Sequence, residues 1–432
     1  MPTVVERIGD YVHQLDFRDI DPATIDYAKR ILLDSLACAF GGLEGEPVRI
    51  VRDVVNELGG AAQATLFGQG KKTSAVLAAL ANGVSLRYLD YNDVYLGPAW
   101  TSHSSDTIAS LLATAEWCER SGQEFLAAMV VAYEMQMRFS DLPVARNLWH
   151  EGWDHSGSCA YASAAGVAKL LGLDGPRIAH AMALSGARAN TLSEIRVGDI
   201  PMDKALSAPV AAANSVLYGL LAKRGFTGCS TLLEGKYGFQ HTVAKGADIE
   251  PLVPVKGRYL INKMGMKPYP VEASVIAMVQ AALEIRKKHQ VRAEEIKSIR
   301  ILTHQEALIK PSWGPKKLKP TTKETADHSF PYCVAVALIA GEVTPRQFSD
   351  EWLHNETVAK LIGLTTLEAT PELTEIFRQG HRPAAVEVQT TRGSLFQEVP
   401  YPLGDPKNPM SWDDVAEKFT AQADPVLGKR AA

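Results

Sequence analysis

Apolar residues recur along most of this chain at spacings of three and four, the pattern of helices with one buried face. Ile25, Ala28, Leu32, Leu36 and Ala39 form the first clear series. Asp21-Pro22 supplies an N-cap with proline at the first helical position, and Gly41-Gly42 ends the run. Pro47 opens a second helix through Leu58, and residues 64–67 read as a short strand or an extended link. A helix rich in Ala and Leu, capped by Thr73 or Ser74, runs towards Asp90. Residues 105–120 and 124–138 predict two more helices, joined by Ser121-Gly122. Ser156 or Ser158 should cap the small-residue helix CAYASAAGVAKLLGL, whose Ala and Gly content suits the centre of a bundle. A further helix spans 176–184. A loop with Arg188, Arg196 and Asp199 then leads to Met202-Asp203-Lys204 and a long Ala-rich helix ending at Arg224, followed by a glycine-punctuated loop over 225–238.

The pattern changes near Lys263. KMGMKPYP is a rigid basic turn, and a helix is expected over 271–289. Ile299, Ile301 and Thr303 alternate as a strand does, and residues 311–325 form a lysine-rich loop. ADHSFPYCVAVALIAG opens a helix with His328 and Tyr332 in its first turns. Residues 348–362 read as helical, 365–370 as extended and 371–380 as helical. Residues 384–390 and 394–399 form a hairpin across Thr391-Arg392-Gly393. The last thirty residues are polar, with a helix near 411–421 and a disordered tail. The fold class is therefore mainly α: an almost wholly helical part to 266, then an α+β segment from 267 to about 400.

Composition narrows the function. A chain of 432 residues should form two domains, or one large one with an insertion. Its hydrophobic content of 46% with 22% charge is that of a soluble globular protein. The formal net charge of −4 offers no basic surface for nucleic acid. Apolar runs break well before the ~18 residues needed to span a bilayer, so no membrane partner is expected. The start, MPTVVERIGDYVHQLDF, lacks the apolar core of a signal peptide, which points to the cytoplasm. The cysteines Cys38, Cys118, Cys159, Cys229 and Cys333 are scattered and odd in number, as expected of buried free thiols in a reducing cytosol. No Cys/His cluster has zinc spacing, and H-E-x-x-H, the phosphate-binding loop and G-x-S-x-G are absent. Neither a metal nor a cofactor is called for.

The chemistry gathers in LDYNDVYLGPAWTSHSSDTIAS, residues 89–110. Asp90 and Asp93 close one helix, a Gly-Pro loop follows, and His103 precedes a new helix that Ser104 or Ser105 should cap. His103 would then lie at the positive end of a helix, where anions are favoured. Four further polar positions or pairs lie near helix starts: His155, Lys204, Lys267 with Tyr269, and His328 with Tyr332. Taken singly, each is an ordinary cap, surface lysine or core tyrosine. Lys204 is the exception, because a lysine in the first turn opposes the helix dipole and needs another reason to be there. Converging in one cleft, these groups supply His, Asp and Tyr for proton transfer and two lysines for carboxylates. That set suits chemistry beside a carboxylate: elimination of water, decarboxylation or epimerisation.

Five stretches resemble the 2-methylcitrate dehydratase (MmgE/PrpD) family: LDYNDVYLGPAWTSHSSD (89–106), WDHSGSCAYASAAGVAKLLGLD (153–174), MDKALSAPVAAANSVLYGLLAKRGFTG (202–228), MKPYPVEA (266–273) and DHSFPYCVAVALIAGEVTPRQFSDE (327–351). They run over nearly the whole chain in the family's order. The family also includes cis-aconitate decarboxylase and iminodisuccinate epimerase. The resemblance implies an all-α domain carrying both chain ends (1–266 and 400–432), an α+β lid (267–399), a homodimer, and a cofactor-free site in the cleft for a small di- or tricarboxylate. It carries the catalytic role onto Asp90, His103, His155 and Tyr332, and substrate binding onto Lys204 and Lys267, with Asp93 and His328 flanking them. Dehydratase chemistry is the leading expectation. Epimerisation, decarboxylation or carboxylate binding without turnover are the alternatives. The chain departs from the family's dehydratases at Ser104, where Pro is common, and at Val94, where Thr is frequent. It departs again at Val271-Glu272-Ala273, where Cys and His are frequent. These positions are expected to tell substrates apart.

Overall fold

The computed structural model describes residues 1–309 and 313–428. Helix accounts for 57% and strand for 10%, so the protein is mainly α. Two hydrophobic cores organise it. The larger gathers helices Val4–Gln14, Pro22–Gly41, Ala75–Tyr88, Ile108–Trp117 and Gly122–Ser140 with those further along the chain. At its centre lies Ser156–Leu170, which packs against Gly122–Ser140, Gly175–Gly186 and Ser207–Lys223. Its Ala, Ser and Gly residues are nearly all buried, because small residues let several helix backbones approach one another.

The second core lies between Val271 and Val399. Helices Ile276–His289 and Phe330–Ala340 pack together, and the first of them also packs against a four-stranded sheet. The order across the sheet is Thr365–Ala369, Ile296–Thr303, Ala384–Thr390, Gly393–Val399. The first pair is parallel and the others antiparallel. Ile296, Ile299, Ile301 and Thr303 face the core, and a register shift between Ile296 and Ser298 accommodates the irregular step. The chain then returns: helix Trp412–Leu427 packs on Pro22–Gly41 in the first core.

Several expectations shift. The helix expected from 271 begins at Ile276, after a 3-10 turn at Ala273–Val275. The segment 348–362 divides into Asp350–Leu353 and Glu356–Gly363, because Asn355 caps a fresh start by accepting from Thr357 N and Val358 N. The Gly-Pro loop contains a small hairpin, Tyr95–Leu96 with Thr101–Ser102. Helix Val4–Gln14, held by a capping box at Thr3, was not expected. The last helix, expected near 411–421, runs on to Leu427 through the start of the expected tail; residues 311 and 312 of the lysine-rich loop and the chain beyond 428 lie outside the described residues. Cys38, Cys159 and Cys333 are buried free thiols, whereas Cys118 is half-buried and Cys229 exposed. Among the described residues, one span, Met202–Lys223, is apolar and long enough to cross a membrane by composition, and half of it is buried in the fold.

Gly404 fixes the point where the returning chain crosses the entry to the second core. Its φ is +88°, and it exchanges contact with Met266, whose N–H donates to Gly404 O at 3.0 Å. A Cβ at this position would lie 1.7 Å from Met266 O. Gly404→Ala should therefore destabilise the protein by at least about 1–3 kcal/mol through forced backbone displacement and positive-φ strain, measured as a lower thermal midpoint.

Candidate active site

Asp90 is the hub. Helix Ala75–Tyr88, capped by Ser74, ends just before it, and the chain turns at Asp90 with φ +51°, a conformation that Asp tolerates better than most residues. The turn aims the carboxylate at four cationic or polarisable groups. Arg87 Nη1 lies 2.5 Å from Oδ1, Lys267 Nζ 3.2 Å from Oδ1, Lys204 Nζ 3.4 Å and His328 Nε2 3.7 Å from Oδ2. Burial alone would raise the Asp90 pKa. The fields of Lys204, Lys267 and Arg87 outweigh it and hold the carboxyl well below the ordinary carboxylate range.

The two lysines are not equivalent. Lys267 Nζ donates to Asp90 O at 2.8 Å and to Val271 O at 3.0 Å, besides its ion pair with Asp90. Its three N–H groups are all engaged, and its side chain is fully buried. Lys204 sits in a 3-10 turn, Met202–Ala205, ahead of helix Ser207–Lys223. Its ammonium has only looser ion pairs, 3.4 Å to Asp90 and 3.8 Å to Asp327. Those carboxylates are the reason a lysine stands at an unfavourable helix start. Burial nevertheless pushes Lys204 down to about 7, against the pull of Asp327 and Asp90. Asp327 in turn is held by Lys323 Nζ at 2.7 Å and by His328 Nδ1. Burial and then Lys204 push His328 down to about 4.

The second half of the site is a histidine pair. The rings of His103 and His155 stand edge to face, 5.2 Å apart between centroids. His103 Nδ1 lies 2.5 Å from the carbonyl oxygen of Asp93. A carbonyl oxygen only accepts, so Nδ1 carries the proton and Nε2 presents a lone pair. Burial, reinforced by Arg87 and Lys267, pushes His103 well below its ordinary value, so the ring is neutral near pH 7. His155 lies between two carboxylates, Asp106 Oδ2 at 3.4 Å from Nε2 and Asp154 Oδ1 at 3.5 Å from Nδ1. Arg196 holds Asp154 from behind, at 2.5 Å.

The expected caps are rearranged. Neither Ser104 nor Ser105 caps through its side chain. Instead Asp93 accepts from Ser105 N at 3.1 Å and from Ser105 Oγ at 2.7 Å. This backbone N–H of the turn before helix Ile108–Trp117 is thus taken by the protein's own carboxylate, not left for a ligand. Burial pushes Asp93 up to about 7 against those hydrogen bonds. Likewise Asp154, not Ser156 or Ser158, accepts from Ser156 N. Asp93 therefore holds the His103 loop.

Tyr332 is not brought to the cluster. Its ring is buried in the second core, 5.9 Å from that of Phe348, and its hydroxyl donates to Gln347 O at 2.7 Å. Helix Phe330–Ala340 is buried almost all round, so the large aromatic ring is drawn inward. Tyr269 is half-buried against the same core, while the site itself is closed: His103, His155, Lys204 and Asp90 are each 7% exposed or less. A cavity of about 620 Å³ bounded by Tyr269, Gln280 and Arg286 touches none of the site groups. Sequence reasoning missed Arg87, Asp106, Asp327 and Lys418. Arg87 stands three residues before Asp90, and Asp327 adjoins His328, so spacing could have found both. Lys418 reaches from the last helix to Asp34 at 2.6 Å, Tyr91 O at 2.7 Å and Lys267 O at 3.0 Å, which no local pattern announces.

Asp90, Asp327 and His328 bring ligand-type atoms within 4.8 Å of one another, a spacing a metal ion accepts. Arg87, Lys204, Lys267 and Lys323 already neutralise those carboxylates, so the donor set favours an anion over a second cation. What the arrangement offers is a neutral imidazole, a second imidazole and a partly free ammonium in a buried, fixed environment.

The sequence matches family models described as the MmgE/PrpD N-terminal domain over residues 6–252 and the MmgE/PrpD C-terminal domain over residues 269–432. The chain belongs to the MmgE/PrpD family. It is 28% identical over 92% of its length to a 2-methylcitrate dehydratase of Salmonella typhimurium, of which the match covers 85%. It is 29% identical over 93% to a 2-methylcitrate dehydratase of Cupriavidus necator, again covering 85% of that protein. A 2-methylcitrate dehydratase-like protein of Aspergillus oryzae is 28% identical over 96% of the chain and is covered to 87%.

Arg87→Met would leave Asp90 and Asp106 without the guanidinium between them. Removing one partner of a buried ion pair should destabilise the protein by about 3–5 kcal/mol, seen as a lower thermal midpoint, with Arg87→Lys recovering only part of it because an ammonium lacks the planar fork.

Proposed function

We propose that this protein is a dehydratase-type lyase that acts on a small di- or tricarboxylate without a bound cofactor. The observation that carries this reading is the fixed His103 tautomer: an Nδ1–H held on Asp93 O leaves a neutral Nε2 beside the cations that surround Asp90. His103 Nε2 takes the proton from carbon next to a carboxylate. The electron pair of the broken C–H bond forms the new C=C bond, and hydroxide leaves from the adjacent carbon. His155, oriented by Asp106 and Asp154, returns a proton to the departing oxygen, so that water is released. Lys204 binds the carboxylate and stabilises the charge that develops on it. Asp90 stays ionised and positions Lys204, while Lys267 fastens the Asp90 turn to the lid.

The relatives named 2-methylcitrate dehydratase make 2-methylcitrate the first substrate to test. Ser104 adjoins His103, and Val271 accepts from Lys267, so the departures from the family pattern border the reacting groups. The same proposal includes a homodimer, supported by apolar side chains exposed at Leu192, Val197, Val210, Leu217 and Phe226. It also includes a cytoplasmic setting, supported by five free cysteines.

Proton NMR in D₂O with 2-methylcitrate, citrate, cis-aconitate, iminodisuccinate and malate tests the reaction. An alkene product from a hydroxy acid is expected. Deuterium beside the carboxylate without net loss would make the protein an epimerase, and loss of a carboxylate a decarboxylase. Binding without turnover would make it a carboxylate-binding protein. His103→Gln should lower turnover by about 10²-fold or more, since the amide cannot accept the proton.

Lys204 gives the reading a pH signature. A lysine that titrates near 7 in the folded protein carries its charge below that value and loses it above. Affinity for a tricarboxylate should fall by about tenfold per pH unit as pH rises above 7, measured by calorimetry with tricarballylate, and Lys204→Met should weaken binding and flatten the profile. For stability the sign is opposite. The folded protein binds fewer protons than the unfolded chain between pH 7 and about 10.4, so this group favours folding increasingly as pH rises through that window.

A further inference from the structure

A dicarboxylate or tricarboxylate needs more than one cation, and Lys267 has no N–H left to offer. We propose that Lys317, carried by the lysine-rich loop of the lid, is the second substrate-carboxylate ligand and acts alongside Lys204. This inference rests on the carboxylate reading above and names the group that completes it.

Lys317 is only 2% exposed, yet its Nζ has no hydrogen-bond partner among the described residues. The other buried lysines among the described residues all reach a carboxylate. Lys204, Lys267 and Lys418 do so within 3.4 Å. Lys317 makes no such ion pair with any described residue. Its place in the fold is fixed nonetheless. Ser329 Oγ donates to Lys317 O at 2.5 Å, which pins the loop beside the residue that follows His328. Lys317 N closes a turn onto Gly314 O at 2.9 Å.

The acidic groups that act on the Lys317 amine are Asp327, then Asp199 and Glu272. Each is already held elsewhere. Asp327 is bound by Lys323 and His328, and Asp199 by Lys316 Nζ at 2.7 Å. Glu272 accepts from Ser274 N at 2.8 Å. Asp327 is also the carboxylate that Lys204 approaches, so both ammonium groups lie in the field of one side chain of the site. Burial pushes Lys317 down to about 8, as expected of an amine without a partner. An unpaired buried ammonium is unfavourable for folding, and such groups persist where a ligand supplies the missing partner. A substrate carboxylate has the required charge and the acceptor oxygens.

The test uses tricarballylate, a tricarboxylate with no hydroxyl to eliminate, with the full chain and its Lys317→Met and Lys317→Gln variants. Calorimetry should show the dissociation constant of tricarballylate at least tenfold weaker in both variants. Thermal melting without ligand should show Lys317→Met equal to or above the unsubstituted protein, because an unpaired amine is replaced by an apolar chain of similar length. A lysine that merely braced the lid would lower that midpoint. The rise in midpoint caused by tricarballylate should shrink in both variants. Unchanged affinity in both variants, with binding intact in the unsubstituted protein, would overturn the assignment of Lys317 alone. No binding by the unsubstituted protein would overturn the carboxylate reading, and the Lys317 assignment with it.

Discussion

The site is built on one buried charge. Asp90 is 2% exposed and ionised, and it stays so because Arg87, Lys204 and Lys267 come to it from three separate segments. Each of these charges would be unfavourable in the interior alone; Asp90, with Asp106 near Arg87 and Asp327 near Lys204, offsets the three cations. The network therefore acts as a specification of tertiary structure. It forms only when the end of helix Ala75–Tyr88, the turn before Ser207–Lys223 and the segment entering the second core are all in place. Lys418 extends it by tying the last helix to the backbone at Tyr91 and Lys267.

Chemistry depends on the same frame. The loop from Asp93 to Ser105 folds back on itself, so that the Asp93 carboxylate holds Ser105 while the Asp93 carbonyl fixes the His103 ring. That carbonyl dictates which nitrogen bears the proton, and burial, reinforced by Arg87 and Lys267, keeps the ring neutral. In the proposed reaction such a base, already deprotonated and already oriented, needs no rearrangement at the moment of proton transfer. The carboxylates beside His155 give that ring its own orientation, so the two imidazoles stand in different settings only 5.2 Å apart.

Much of the fold was legible. Helical spacing marked the bundle, and strict alternation at Ile299, Ile301 and Thr303 marked the central strand of the sheet. Of the expected site residues, the structure sets His103 against His155 and Lys204 against Asp90. The rest was not legible, for identifiable reasons. A serine before a helix is a natural cap, but Asp93 and Asp154 lie close enough in space to take that place. Tyr332 stands in the first turns of its helix beside polar residues, yet ring burial turned it into the second hydrophobic core. A lysine-rich loop gives no sign in sequence that Lys317 is buried with no hydrogen-bond partner among the described residues.

By itself the sequence determined the fold class, the family, and the residue types available for proton transfer and carboxylate binding, because periodicity, turn chemistry and motif spacing are local properties of the chain. Only the tertiary structure decided which of those residues are free to act. Whether a lysine or tyrosine has an unused hydrogen bond depends on partners that folding brings to it, some of them more than a hundred residues away. Lys267 is consumed by Asp90 and Val271, while Lys204 meets Asp90 and Asp327 only loosely. The protonation of His103 likewise depends on burial and on charges brought to it by folding, which no linear pattern encodes.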